Sequence, residues 1–359
     1  MLSRGLVDLQ VNGFAGVDFN SGTVTAQEID RALEAMLVTG VATCLPTIIT
    51  ARPHELEARF RALDAAIAAS RLGPLMCPGY HLEGPFLNPA AGYAGCHPPE
   101  AMTPADPDLV ARLEAGLARP ILMVTVAPEV EGALPLIAAL ARAGKIVALG
   151  HTAADFDTVA AAADAGATLS THLGNGMPQL AHKLANPIFA QLAEDRLRAS
   201  FIADGIHLHP RALQSLLRAK TMARSILVTD AVVAAAAAPG RYRFAGMEVE
   251  GGADGSVRLP GGISLAGSAL RLDQAVRNCV AWGLATPQEA VAMASEHALA
   301  ALAPALRAAG IALPDSEIEW SRELAITRIR LGGLERLYDE TGALRRAGCA
   351  LNQSNWKGR

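Results

Sequence analysis

The chain has 359 residues, 51% hydrophobic and 18% charged, with a formal net charge of −4. That composition builds a sizeable core and excludes an intrinsically disordered chain. The slightly acidic balance and the scarcity of aromatic residues exclude the basic, base-stacking surface of a nucleic-acid partner. Five cysteines stand at positions 44, 77, 96, 279 and 349; they are odd in number, widely spaced and form no C-x-x-C. They argue against a disulfide framework or a thiolate zinc site and for a reducing cytoplasm. Arg4 and Asp8 interrupt the start before the apolar core of a signal peptide could form. The longest suspicious apolar run, 231–238, is far too short to cross a membrane.

Along the chain, short runs rich in Val, Ile, Leu and Thr alternate with Ala-rich runs of helical period. Strands are expected at 6–11, 41–48, 75–82, 121–126, 146–149, 168–172, 199–203 and 226–229. Between them the pattern predicts helices near 26–38, 54–70, 106–118, 132–143, 155–165, 187–195 and 210–219, and an eighth at 268–282. Gly40, Gly144 and Gly166 follow helical runs as C-cap signals. Eight such alternations fit an α/β fold of the closed (β/α)8 TIM-barrel type better than an open sheet. The segment 235–265 breaks the rhythm with short alternating runs and Gly or Asp-Gly turns, and reads as a β-hairpin insertion after the eighth strand. A helix over 286–302 is then expected, ended by Pro304, Gly310 and Pro314, with a strand pair at 323–331 and 335–338. The tail from Arg345 shows no period. The division expected is a barrel over 1–302 and a C-terminal extension over 303–359.

In such a barrel, reacting groups sit at the C-terminal ends of the strands. Here those ends carry Gln10 and Asn12, His81 and Glu83, His151, His172, Asp204 and His207, and Asp230. Glu83, His151 and His172 offer one carboxylate and two imidazoles, a set suited to a catalytic divalent metal with an open position. Singly, each reads equally well as a core histidine or a helix cap; joint placement at strand ends favours ligands. Asp230 could carry a proton from water to a leaving group, or N-cap the following segment. His207 could hydrogen-bond a substrate carbonyl or a developing oxyanion, or be a loop histidine. After strand six, Asn175, Gly176 and the His182-Lys183 pair could hold an anionic group, or be a solvated loop. His97 lies in a Gly- and Pro-rich loop of the kind that forms lids and specificity elements. His54, His209 and His297 read as structural. Nucleophile-elbow, P-loop and H-E-x-x-H motifs are absent.

The motifs D-L-Q-V-N-G-F-A-G-V-D-F-N (8–20), H-L-E-G-P-F-L-N-P (81–89), G-H-T-A-A-D (150–155), T-H-L-G-N-G-M-P (171–178), A-D-G-I-H (203–207), V-T-D-A (228–231) and L-A-G-S-A-L (265–270) come in one order across residues 6 to 300. Together they resemble the N-acetylglucosamine-6-phosphate deacetylase family of the amidohydrolase superfamily. The resemblance implies that Glu83, His151 and His172 bind one divalent metal, usually zinc. It implies that Asp230 transfers the proton, that His207 positions and polarises the substrate, and that His97 contacts the substrate. Gln10 and Asn12 replace the H-x-H of two-metal relatives, which implies a single-metal site. The implied partner is a small amino-sugar substrate, with no nucleic acid or membrane, and a homodimer is compatible with it.

The sequence departs from the family pattern in three places. Lys183 stands where the family commonly places a phosphate-gripping Arg, and a lysine lacks the bidentate fork. Gly174 and Gly176 replace bulkier residues, which suggests a wider pocket. Only five residues precede the first barrel strand, so the family's small β sandwich is expected to be reduced or missing. The leading expectation is deacetylation of an N-acetylated amino sugar, most of all N-acetylglucosamine-6-phosphate. Two alternatives stay open: deacylation of an unphosphorylated or differently substituted amide, and a non-catalytic descendant of the fold.

Overall fold

The computed structural model describes residues 1–262, 264–339 and 343–344. Eight parallel strands form its centre: Leu6–Val11, Val41–Ile49, Tyr80–Glu83, Ile121–Val126, Ile146–Leu149, Leu169–Ser170, Arg198–Ile202 and Ser225–Val228. Each is hydrogen-bonded to the next in that order. All but the seventh, whose first residue Arg198 is half-buried, are buried at every position, so they read as apolar runs rather than alternations. Helices follow the strands at Ala26–Val38, Pro53–Ala69, Pro107–Glu114, Ala133–Arg142, Phe156–Ala165, Pro187–Ala193, Pro210–Lys220 and Leu272–Ala281, close to the expected spans. The local signals are chemical: Thr25 and Glu28 form a capping box, and Asp155 caps the helix that begins at Phe156.

The seam between the eighth and first strands is closed by other means than a regular ladder. Val11 and Ala231 form a parallel bridge, and the Asp230 amide donates to the Gln10 carbonyl at 3.0 Å. Below them the buried Asp8 carboxylate accepts from Thr229 Oγ1 at 2.6 Å and from the Thr229 amide at 3.2 Å. Burial pushes the Asp8 pKa from 3.8 up to about 7, against the pull of the Thr229 hydrogen bonds. An acid whose pKa is raised by folding binds more protons folded than unfolded. Its contribution to stability therefore falls as pH rises from about 4 to 7. Thermal melts of Asp8→Asn and the parent should show this loss across that window in the parent and a flatter profile in the variant.

Three expectations are corrected. The third strand is Tyr80–Glu83, not 75–82: the Gly73-Pro74 pair starts a single helical turn, Gly73–Met76, and the apolar run is split between that turn and the strand. The sixth strand pairs only over Leu169–Ser170, because His172 turns the chain out of the ladder at φ +29°. The helix expected over 286–302 is two, Pro287–Ala294 and Glu296–Ala308. The break is at Ser295, whose hydroxyl donates to the Val291 carbonyl at 2.6 Å. Pro304 lies inside the second helix, where burial of Ala298, Leu302, Ala305 and Leu306 offsets the lost backbone bond.

The insertion forms a four-stranded antiparallel sheet, Gly240–Phe244, Met247–Gly251, Ser256–Arg258 and Leu265–Ser268. Its apolar face packs Phe244, Val249, Val257 and Ala266 against Ile49 and Val232 at the ends of the second and eighth strands. A second antiparallel sheet joins Leu2–Ser3 to Ser316–Trp320, Ile326–Leu331 and Leu334–Leu337. Its last two strands follow the expected pair. The first two were not foreseen: Leu2–Ser3 is too short to carry a period, and the acidic residues of S-E-I-E-W hide an alternating strand. The tail from Arg345 lies outside the described residues. No helix among those described is long and apolar enough to cross a membrane.

Candidate active site

The polar strand ends meet at one mouth of the barrel. Glu83 is the last residue of the third strand and is buried. Its Oε1 lies 3.0 Å from His172 Nε2, 3.4 Å from His151 Nε2 and 3.1 Å from Gln10 Nε2. Its Oε2 lies 3.6 Å from Nε2 of His97, which returns from the long loop after that strand. Burial alone would raise the Glu83 pKa, but the surrounding imidazoles hold it well below the usual carboxylate range.

The backbone delivers these groups at a cost. His151, His172 and Asp230 all have positive φ, at +51°, +29° and +49°. Non-glycine residues pay about 1–3 kcal/mol each for such a conformation, and they cluster where function holds them. Gly176 approaches the site as closely as a residue can. At φ +62°, a Cβ there would lie 2.7 Å from His151 Nδ1. The space beside Gly176 is thus taken by the His151 ring and does not widen the pocket. At Gly174 a Cβ would meet Leu208 at 2.9 Å.

Asp230 Oδ1 accepts from Asn12 Nδ2 at 2.7 Å and from Gln10 Nε2 at 3.1 Å. Burial and the nearby Glu83 charge raise its pKa. Gln10 and Asn12 therefore face the two carboxylates as donors, and their amide oxygens are buried without a partner. His207 Nδ1 pairs with Asp204 Oδ2 at 2.6 Å, and Asp204 Oδ1 accepts from the amides of Ile206 and His207 at 2.8 Å each. Asn175 Nδ2 donates to the His172 carbonyl at 3.0 Å.

A cavity of about 740 Å³ opens over this cluster, lined by Glu83, His97, His151, His172, His207 and Asp230 together with Asn175 and Gly176. Of the substrate-binding residues expected from sequence, Lys183 lies outside this wall, exposed on the rim loop, and Gln10, His81, His182 and Asp204 do not line it either. Arg258, from the inserted sheet, is the only Arg or Lys among the described residues in the wall. His54 is exposed, His209 caps the helix Pro210–Lys220, and His297 Nδ1 lies 3.0 Å from the Ser225 carbonyl oxygen.

The donor set fits a divalent metal. His151 Nδ1 donates to the Tyr93 carbonyl at 2.7 Å, which directs Nε2 toward Glu83, the orientation in which an Nε2 lone pair would face a metal. Nε2 lies 3.4 Å from the Glu83 carboxylate, and imidazole with carboxylate is a zinc-type donor set. Sequence reasoning missed Asp204 as the partner of His207, although the D-x-x-H spacing signals it. It also missed Arg258, which nothing in the local sequence distinguishes.

No family profile matches the chain. It is similar to the N-acetylgalactosamine-6-phosphate deacetylase of Escherichia coli O157:H7, at 36% identity over 323 residues, 87% of this chain and 83% of that one. The N-acetylglucosamine-6-phosphate deacetylase of Bacillus subtilis (strain 168) is 33% identical over 281 residues, 77% of this chain and 69% of that one. Among solved structures, a mutant N-acetyl-D-glucosamine-6-phosphate deacetylase of Mycobacterium smegmatis in complex with N-acetyl-D-glucosamine-6-phosphate matches with a TM-score of 0.79 at 29% identity, covering 93% of this chain and 86% of that one. The Pasteurella multocida N-acetylglucosamine-6-phosphate deacetylase matches with a TM-score of 0.81 at 25% identity, covering 94% and 86%.

Proposed function

Because the chain belongs to the N-acetylglucosamine-6-phosphate deacetylase family of the amidohydrolase superfamily, we propose that it is a metal-dependent amide hydrolase that removes the acetyl group from a 6-phosphorylated N-acetylhexosamine. The observation that carries this reading is the convergence of Glu83, His151, His172, Asp230 and His207 on one cavity. Glu83, His151 and His172 would hold the metal, with zinc the natural choice for these donors. When bound, it supplies Lewis acidity toward water and the amide carbonyl.

The remaining work falls to the chain. Asp230 takes a proton from the attacking water and returns it to the leaving nitrogen. Asn12 and Gln10 fix its Oδ1, which leaves Oδ2 to exchange the proton. The Asp204 pair fixes the His207 ring through Nδ1, so Nε2 is its remaining polar atom for a substrate oxygen. Asn175 and Gly176 complete the wall beside the sugar, and His97 borders it from the loop. The reading extends to a cytoplasmic enzyme, on the cysteine pattern, and to a homodimer.

Comparison of amine release from N-acetylglucosamine-6-phosphate, N-acetylgalactosamine-6-phosphate and their unphosphorylated parents, with zinc supplied, tests the reading. Phosphorylated sugars should be preferred by about tenfold or more, the scale of one charge-assisted hydrogen bond. Preference for the free sugars would establish the alternative substrate class, which the position of Lys183 outside the wall favours. The anchor for the phosphate is tested by two variants. Arg258→Gln should raise KM for the phosphorylated sugar about tenfold and barely change it for the unphosphorylated one. Lys183→Ala should have the smaller effect; the reverse order would move the anchor to the rim loop.

A further inference from the structure

Glu83, His151 and His172, the three residues read as metal ligands, come from different strand ends, and one layer of side chains runs beneath them. Its hub is His81, which is fully buried. Side chains two apart on a strand point to the same face, so His81 lies one layer below Glu83 inside the barrel. Its Nδ1 lies 3.3 Å from Thr47 Oγ1 and its Nε2 lies 2.8 Å from Thr125 Oγ1. Thr125 Oγ1 in turn lies 2.8 Å from Thr171 Oγ1. One string of side chains thus ties the second, third and fourth strands to the end of the sixth.

The hydrogens of this string have one consistent order. Thr47 gives its hydrogen to the Leu45 carbonyl at 3.0 Å, so it meets His81 Nδ1 as an acceptor. Burial favours the neutral ring, which leaves Nε2 to accept from Thr125. Thr125 therefore accepts from Thr171. Each hydroxyl has one hydrogen and one partner for it, so no rotor in the string is free.

The string ends against the two imidazole ligands. Thr171 immediately precedes His172, whose ring has no outer partner of its own, because its Nδ1 is buried without one. The aim of that ring is therefore set by its backbone, which leaves the strand ladder at φ +29°. Thr171 holds this backbone on one side; on the other, Ser200 Oγ accepts from the His172 amide at 2.8 Å. Gly150 immediately precedes His151 and sits directly on the two threonines. A Cβ at Gly150 would lie 3.0 Å from Thr125 Cγ2 and 3.0 Å from Thr171 Cβ. Branched apolar residues ordinarily fill a barrel interior. A fully satisfied polar layer adds what apolar packing lacks, fixed direction.

We propose that His81 is a positioning residue of the metal site, which acts through Thr125 and Thr171 to fix the direction of His172 and the floor under His151. The inference rests on the reading of Glu83, His151 and His172 as metal ligands and is independent of the sugar.

The test uses the purified full chain with Zn2+ or Co2+ alone as the probe. Thr125→Val keeps the shape of the side chain and removes the hydroxyl. It should weaken Zn2+ binding about tenfold in chelator competition, the lower end of what an outer partner contributes. It should also shift the visible bands of the Co2+-loaded protein. Thr125→Ser keeps the hydroxyl and should restore both. His81→Phe should match Thr125→Val, and the double variant should lose no more than the worse single one, because both break one string. A lowered Tm in Thr125→Val with Zn2+ affinity and Co2+ spectrum unchanged would overturn the proposal and leave the string a purely structural layer. Equal losses in the two Thr125 variants would overturn it too. Should His81→Phe fail to fold, the two Thr125 variants decide. A parent that binds neither ion would overturn the metal-site reading beneath this inference, an outcome told apart because it appears without any substitution.

Discussion

Asp230→Asn should lower kcat about a thousandfold and leave bound metal unchanged. The size follows from what a positioned acid–base group contributes, about 10²–10⁴ in rate. Retention of metal follows from geometry, because Glu83 faces three imidazoles without help from Asp230. The substitution is nearly isosteric, yet it turns one acceptor oxygen into a donor. The side chain stands against Asn12 Nδ2 and Gln10 Nε2, both already donors. The asparagine must place its own oxygen there and turn its NH2 to the cavity, where it can give a hydrogen bond but cannot take a proton. Steady-state kinetics with metal analysis on one preparation checks both halves. Near-normal turnover would remove Asp230 from proton transfer.

Removing the metal should have a comparable effect on rate and an added one on stability. Chelation should abolish turnover and lower Tm by a few degrees, since a ligand present at 100 times its Kd stabilises the folded state by about 2.7 kcal/mol. Glu83→Gln should produce the same phenotype in part. It removes the one carboxylate that three imidazoles share, and affinity for Zn2+ should fall about 100-fold or more, beyond what outer partners alone cost. The variant's Tm should also become insensitive to added Zn2+ over the range that protects the parent. Differential scanning with stepped Zn2+ measures this directly. A Glu83→Gln protein protected by zinc as well as the parent would show that the metal sits elsewhere.

The barrel was legible because its strands are buried on both faces, which forces short unbroken apolar runs, and because six of the eight runs lead into a polar residue no core would choose. Glu83, His151, His172 and Asp230 stood out for that reason, and the structure places them together. Of the groups that reach the site from a loop, His97 stood out only as an expected substrate contact, and its place against Glu83 was not legible. His97 lies fourteen positions past Glu83 in a segment without period, and only the chain's return path brings its Nε2 to 3.6 Å from the carboxylate. Thr50 is one threonine among many until its hydroxyl is seen between His97 and the Glu83 carbonyl. The misplaced third strand has a similar origin: Leu75 and Met76 are as apolar as strand residues, and tertiary context decides that they complete a helical turn.

The inserted sheet ends on Ser268, and Ser268 grips the eighth strand on both sides of Asp230. Its amide donates to the Asp230 carbonyl, its carbonyl accepts from the Val232 amide, and its hydroxyl donates to the Thr229 carbonyl. The segment that looks most like a removable decoration is therefore a splint. Trimming 235–268 to a short turn would leave the barrel its eight strands and deprive Asp230 of the brace that holds its left-handed backbone. Any attempt to minimise this enzyme, or to exchange insertions between relatives, has to carry that splint across intact.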